Sequence, residues 1–499
     1  MRKATIGALT AATLLVAGGY YGLADALDVL PGPLTVAPAT NELQPFPSAT
    51  TATPSVQAAA GLSASAPVPQ AEVLAGYAQT LATDELVGTA STAVAIIDVA
   101  TGQTLVDHNA STALTPASSN KLLTAWASLS TLGADHRMTT SATFQDGTLT
   151  LVGGGDVLLA ADAGDPDAVV GHAGLGDLAR DAAAKLADQA VTSVKLALDD
   201  TLFTGATFSP DWEAGNEAWV APIQPLMIDV TSYGGTTAYP QDPAMEAAQA
   251  FATALTAAGI SIEGDITRSH VAEGTSVIAS VDSAPLSEIL AVSLKASDNT
   301  MTEVEGRVLA AATGHEASFA GAAQAVLERL KADGFDVSDV TMLDCSGLAR
   351  ADRVPARLLA QILARAAGDD GGTVGRSLIT ALPVAGLDGT LHDRFTEGAA
   401  TGTVRAKTGS LDQTASLSGT VVTREGRLLA FSVIVDGFEA GGLYSARVAL
   451  DQDLVTPMAD CGCRGWSSRS RPRPRRARLV LRFYLCIVSS RTEGERGRH

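Results

Sequence analysis

Cysteine is scarce in this sequence: four among 499 residues, at Cys345, Cys461, Cys463 and Cys486. A set so small and so unevenly placed supports no disulfide framework. Cys461 and Cys463 lack a second pair at zinc-site spacing, and the seven histidines include no His-Glu-x-x-His, so neither metal nor other cofactor is expected. Gly153-Gly154-Gly155-Asp156 lacks the Gly-Lys-Ser/Thr ending that holds phosphates and magnesium, and reads as a tight turn. Positive charge is short too: 34 Lys and Arg stand against 54 Asp and Glu, a formal net charge of -20 with a pI near 4.7. Most of the surface would repel a polyanion, which excludes nucleic acid as a partner. Hydrophobic residues make up 46% and charged residues 18%, an ordinary globular balance. At 50.7 kDa there is room for two or three domains with proper cores.

The two ends differ from the middle. Met1-Arg2-Lys3 precedes an uncharged, largely apolar run from Ala4 to Ala24, the layout of a secretory signal with Ala24-Asp25-Ala26 as its cleavage site. Uncut, the same run is long enough to anchor the chain in a bilayer. Residues 1–26 are therefore a signal peptide or a membrane anchor, and the rest is expected on the extracytoplasmic side. Residues 27–70 hold eight prolines among Ala, Thr and Ser, with no periodic apolar face, and read as a linker. From Arg464 to His499, eleven arginines face two glutamates, so this stretch carries about +9 and the remainder about -29. Residues 459–499 are expected to be a basic, dispensable, poorly ordered tail; the competing reading is a wall- or lipid-binding segment.

Ordered structure begins near Glu72 with a helix carrying Val73, Leu74, Ala78 and Leu81. Thr92 to Val99 and Thr104 to His108, joined at Ala100-Thr101-Gly102-Gln103, read as a hairpin. From about Ser141 to Asp282 the pattern changes. A hairpin turns at Asp146-Gly147, a helix runs around Leu178, Ala182 and Leu186, and a strand spans Val191 to Leu198. A further helix is framed by Asp242, Pro243 and Gly259. Residues 141–282 read as an inserted domain. Helical periodicity resumes at Leu286 to Leu294. Val404 to Thr408, Leu417 to Thr423 and Leu428 to Val435 then read as strands, with a closing helix from about Ser445 to Val455.

Chemistry is signalled first at Pro116-Ala117-Ser118-Ser119-Asn120-Lys121. At the start of an apolar helix, with Thr115 as its cap and Leu122, Trp126, Leu129 and Leu132 behind, Ser118 and Lys121 would share a face. Serine is a weak nucleophile until a base stands beside it, and Lys121 supplies one. A neutral Lys121 requires a pKa brought from about 10.4 toward 7, which burial and a second cation such as Lys407 could provide.

Ser118-x-x-Lys121, Ser297-Asp298-Asn299 and Lys407-Thr408-Gly409 follow one another in the chain. The set resembles the ordered motifs of the penicillin-recognising serine enzymes, the β-lactamases and penicillin-binding proteins. Leu114-Thr115-Pro116-Ala117-Ser118, Val152-Gly153-Gly154-Gly155-Asp156, Leu382 to Leu391 and Val404-Arg405-Ala406-Lys407-Thr408-Gly409 further resemble the D-alanyl-D-alanine carboxypeptidase/endopeptidase type of low-molecular-mass class C penicillin-binding protein. The resemblance covers roughly Glu72 to Val455. It implies an α+β fold: a transpeptidase-like domain, residues 71–140 and 283–458, with an antiparallel sheet and helices on both sides, interrupted by the inserted α/β domain. One departure is Cys345 in Asp344-Cys345-Ser346-Gly347-Leu348, where the family commonly has Gly; strain is expected there if the position needs a positive φ.

The resemblance implies that Ser118 attacks a peptidoglycan stem peptide and forms an acyl-enzyme, with β-lactams as covalent inhibitors. Lys121, Ser297 and Asn299 would be catalytic. Lys407, Thr408, Gly409 and Ser410 would bind substrate, and the backbone amides of Ser118 and Ser410 would form the oxyanion hole. Two rivals share the motifs. A class A β-lactamase would be compact, without residues 141–282, and no deacylating Glu is evident. A non-enzymatic penicillin sensor or wall-binding protein would not need intact Ser118, Lys121 and Asn299.

Overall fold

The computed structural model describes Leu62 and residues 65–461, apart from residues 235, 236 and 273. The N-terminal apolar run, nearly all of the proline-rich stretch and the basic C-terminal stretch lie outside the described residues. Among the described residues, no helix is long and apolar enough to cross a membrane.

Helix α1 (Ala71–Ala82) precedes the antiparallel pair β1 (Ser91–Asp98) and β2 (Thr104–His108). Helix α2 (Lys121–Leu132) follows the Ser118 turn. Strands β3 (Thr139–Gln145) and β4 (Thr148–Val152) meet at Asp146-Gly147, both at positive φ, as a tight two-residue hairpin turn requires. Then come helix α3 (Leu175–Ala187), strand β5 (Ser193–Asp199), helix α4 (Pro243–Ala257) and strand β6 (Val277–Asp282). Asp242 caps α4, accepting from the Met245 amide at 3.3 Å, and Gly259 takes φ +92° just beyond its end.

Five helices follow: α5 (Leu286–Ala296), α6 (Asn299–Ala312), α7 (Phe319–Ala332), α8 (Ala356–Ala367) and α9 (Gly372–Ala381). Strands β7 (Val404–Leu411), β8 (Thr414–Val422) and β9 (Leu428–Asp436) come last, before helix α10 (Leu443–Ala449). The closing helix is not the uniform one the sequence predicts, because α10 passes into a π-helical stretch, Leu450–Val455.

One sheet has the order β7-β8-β9-β1-β2, antiparallel throughout. Its central strands are buried on both faces, which is why they read as nearly continuous apolar runs. On β9, Leu429, Phe431, Val433 and Val435 share a core with α1 and the C-terminal helices. Ala430 and Ile434 join the core beneath α2 and α8. The fold is thus α+β, with helices on both faces of the antiparallel sheet.

A second, mixed sheet has six strands. Strand β3 pairs antiparallel with β4 and β6, β4 runs parallel to β5, and helices α3 and α4 pack against it over a separate apolar core. The chain leaves and rejoins the first sheet's neighbourhood at one place: Thr139 lies opposite Asp282, and the Met138 amide donates to Ser283 Oγ at 2.9 Å.

Candidate active site

Ser118 does not lie in the helix, contrary to the sequence expectation, but in a 3-10 turn, Ala117–Asn120, just before α2. Thr115 is not the cap. Its hydroxyl donates to the Arg350 carbonyl at 3.2 Å and accepts from Arg353 Nη1 at 3.0 Å. The turn is strained, with Ala117 at φ +48°, a region costly for a residue with a Cβ. Its neighbours hold it there. Ser119 Oγ lies 2.8 Å from Ser416 Oγ, Ser416 Oγ donates to the Pro116 carbonyl at 2.7 Å, and Asn120 Nδ2 donates to the Asp344 carbonyl at 3.1 Å. Ser119 and Asn120 are buried, whereas Ser118 is only half-buried and faces the cleft.

Lys121, the first residue of α2, is fully buried. Its Nζ lies 3.1 Å from Ser118 Oγ, 2.7 Å from Asn299 Oδ1 and 2.7 Å from the Ser346 carbonyl. The last two atoms can only accept. They take two hydrogens of a neutral amine, and the remaining direction, toward the Ser118 hydroxyl, is where its lone pair points.

Burial lowers the Lys121 pKa from 10.5 to about 8, against the pull of Asp344, Glu303, Asp298 and Glu305. The second cation expected to do this acts in the other direction: after burial, it is the charge of Lys121 that holds Lys407 well below the usual lysine range. Glu303 and Glu305 are themselves pushed up to about 8, chiefly by burial.

Ser297 ends α5 at φ +58°, and Asp298 caps α6 by accepting from the Met301 amide at 2.8 Å. The break between these helices brings Ser297 and Asn299 to the same cleft. Asn299 Nδ2 donates to the Trp219 carbonyl at 2.9 Å, so its oxygen is left to face Lys121. Lys407 Nζ donates to Ser297 Oγ at 2.7 Å and to the Thr408 carbonyl at 2.9 Å. The Ser297 hydrogen is free to be donated elsewhere.

Strand β7 is a sheet edge, and its open side forms a wall of the cleft. The Ala406 amide donates to the Pro383 carbonyl at 3.0 Å, and the Val404 carbonyl accepts from Ala385 at 3.0 Å; both turn away from β8. The two-residue period carries this orientation to Thr408 and Ser410, whose amides therefore open toward the cleft. Thr408 and Ser410 line it, but Lys407 is fully buried and does not.

Gly409 is a spacing residue. A Cβ there would lie 2.1 Å from Ser416 Oγ and 2.8 Å from the Pro116 carbonyl, so only glycine lets β7 approach the serine turn. Gly409→Ala is expected to cost about 1–3 kcal/mol and to displace Ser118. A thermal melt and the rate of penicillin acylation check this, and no change in either would show that the strand can yield.

Several contributors carry no signal of their own in the sequence reading. Glu303 accepts from the Cys345 amide at 3.1 Å and the Ser346 amide at 2.8 Å, fixing the carbonyl that faces Lys121. Asp344 accepts from the amides of Gly347 at 2.6 Å and Ala349 at 2.7 Å, and from Trp212 Nε1 at 2.7 Å. The positive φ in this segment falls on Gly347, at +82°, and not on Cys345, so the expected strain is absent. Cys345 packs instead against Gly306, where a Cβ would lie 2.3 Å from its sulfur.

The cleft holds about 1930 Å³, well above the roughly 300–1,000 Å³ of a drug-sized site, and suits a peptide of several residues. Arg350 braces it, pairing with Glu213 at 2.9 Å and with Asp412 on the turn after β7.

Fold and site together define a serine acyl-transfer enzyme, with Lys121 Nζ 3.1 Å from Ser118 Oγ. The model of the D-Ala-D-Ala carboxypeptidase 3 (S13) family matches residues 74–241 and 235–455. The chain belongs to this family, that of the serine-type D-Ala-D-Ala carboxypeptidases. Carboxypeptidase DacB of Mycolicibacterium smegmatis is 36% identical over 381 residues, covering 74% of this chain and 80% of the relative. A D-alanyl-D-alanine carboxypeptidase of an Actinomadura species is 30% identical over 438 residues, covering 69% and 77%. Penicillin binding protein 4 of Haemophilus influenzae shares the fold, with a TM-score of 0.62 at 20% identity over 77% of this chain and 99% of that one. That protein has also been solved in complex with a β-lactam.

Proposed function

We propose that this chain cleaves D-Ala-terminated peptidoglycan stem peptides on the extracytoplasmic side, as a carboxypeptidase and as an endopeptidase on cross-links. Lys121 takes the Ser118 proton as Oγ attacks the carbonyl of the penultimate D-Ala. The amides of Ser118 and Ser410 receive the oxyanion, worth about 3–4 kcal/mol per donor. Ser297 relays a proton to the leaving nitrogen, Asn299 orients Lys121, and water then releases the acyl group. The observation that carries this reading is the setting of Lys121 Nζ, held by two acceptors with Ser118 in the third direction. β-Lactams act on the same serine as covalent inhibitors.

This reading takes residues 71–140 and 283–458 as the peptidase domain and residues 141–282 as a domain inserted into it. The neighbouring positions of Thr139 and Asp282 support the division. Incubation with a cross-linked muropeptide and with a pentapeptide monomer, followed by product mass, tests the substrate assignment. Release of D-Ala from the monomer and cleavage of the dimer are expected; neither product would overturn it.

Ser410 presents its hydroxyl toward a free carboxylate on the leaving residue, Thr408 lines the cleft beside it with its own hydroxyl donating to Thr390 Oγ1 at 2.9 Å, Gly409 holds the strand close and Lys407 acts from behind through Ser297. Charge-assisted hydrogen bonds of this kind contribute about 1.5–3 kcal/mol. Amidating that carboxylate should therefore lower kcat/KM by about ten- to a hundredfold. Equal turnover of acid and amide would mean that the strand does not read the carboxylate.

A further inference from the structure

The strand motif places no cation on the cleft lining. Lys407 is fully buried, donates to Ser297 Oγ and the Thr408 carbonyl, and is absent from the cleft lining. The lining beside Ser410 holds a different cation, Arg447 on α10. Its Nη2 donates to Ser410 Oγ. Because Ser410 Oγ accepts there, its own hydrogen is free to point at a ligand.

Arg447 is a half-buried guanidinium without a carboxylate partner among the described residues. No ion pair forms on it, and its Nε is buried with no hydrogen-bond partner there. The nearby charges do not neutralise it. Asp451 is engaged by Arg394, whose Nε lies 3.1 Å from it; Asp393 is mostly exposed; and Arg394 adds a second positive charge. Burial and Arg394 both disfavour the charged form of Arg447, which leaves it an under-compensated cation. A planar donor set of this kind matches a carboxylate better than an ammonium does.

Position along the strand assigns the side. Lys407 and Ser410 are three residues apart on β7, about 10 Å at the usual strand rise. The Ser297 end of the strand and the Arg447 end are therefore distinct stations. The cleft continues past Ser410 along Leu443, Tyr444, Val448 and Gln452, with Tyr444 77% exposed. In the carboxypeptidase reading, on which this inference rests, this is the leaving-group side.

We propose that Arg447 is the specificity-determining residue for the leaving group, pairing with its free carboxylate together with the Ser410 hydroxyl. The same contact serves a terminal D-Ala and the D-centre of a cross-linking diamino acid, since both carry that carboxylate.

The test uses the full chain, with Arg447→Gln and Arg447→Lys as variants. Three acyl donors share one acyl group: a peptide ending in D-Ala-D-Ala, its C-terminal amide, and a thioester whose leaving group has no carboxylate. The wild type is expected to prefer acid over amide by about ten- to a hundredfold. In Arg447→Gln that preference collapses toward one, mainly through kcat/KM for the acid, and Arg447→Lys recovers part of it. Two outcomes overturn the proposal: a wild-type preference retained in Arg447→Gln, or an equal loss on acid, amide and thioester, which marks a structural role. A wild type with no preference would instead refute the carboxylate reading of the whole strand, so the two failures are distinguishable.

Discussion

Ser118→Ala is expected to abolish covalent labelling by a fluorescent penicillin and to lower peptide turnover by about 10⁴-fold or more, because no other hydroxyl replaces the attacking one. The strained amide of the β-lactam mimics the acyl donor, and its product stays tethered, so labelling reports the first chemical step alone. Ser119 is the nearest alternative in sequence. It is buried and hydrogen-bonded to Ser416, 2.8 Å away, so it cannot turn to the cleft. The variant should melt near the wild-type temperature, since the Ser118 side chain faces the cleft and packs no core. Undiminished labelling of Ser118→Ala, measured by in-gel fluorescence and peptide mass, would place the nucleophile elsewhere.

The second large effect concerns the base. Lys121→Ala should slow acylation by about 10²–10⁴-fold, the range lost when a positioned general base is removed. The pH dependence is the sharper test. In the proposed mechanism the reactive form is the neutral amine, and burial lowers the Lys121 pKa to about 8. Raising the pH removes the proton, so acylation should rise about tenfold per unit below that value and level off above it. At pH 7 about a tenth of the enzyme holds the neutral lysine. The wild-type acylation rate, measured by stopped flow from pH 6 to 9, checks this; a flat or falling profile would assign the proton transfer to another group.

Much of the peptidase fold was legible because its signals are local. The runs at Thr92 to Val99 and Leu428 to Val435 read as strands since both sheet faces bury them. Asp146-Gly147 and Asp242-Pro243 marked a turn and a cap through backbone conformations that few residues favour. The region from Asn299 to Ala381 was less legible. Helix α6 buries Glu303, Glu305 and Arg307 along with its apolar residues, so the apolar period that announces a helix is broken where acidic groups enter the core. Thr115 misled as a helix cap because its hydroxyl is taken by Arg350 and Arg353, more than 230 residues away in the chain.

By itself, the sequence determined that a serine with a lysine three residues on is followed, in order, by Ser-Asp-Asn and Lys-Thr-Gly, on elements able to carry them. That information lies in spacing, which short-range geometry reads directly. Only the tertiary structure decided where the Lys121 amine is held. Its second and third partners, Asn299 and the Ser346 carbonyl, stand 178 and 225 positions away, and one of them is a backbone atom that any residue could have supplied. Likewise only packing decided that Lys407 is buried while Arg447, from a helix beyond the sheet, reaches Ser410. Which cation faces the cleft depends on the distance between a strand edge and a helix, and no local pattern encodes that distance.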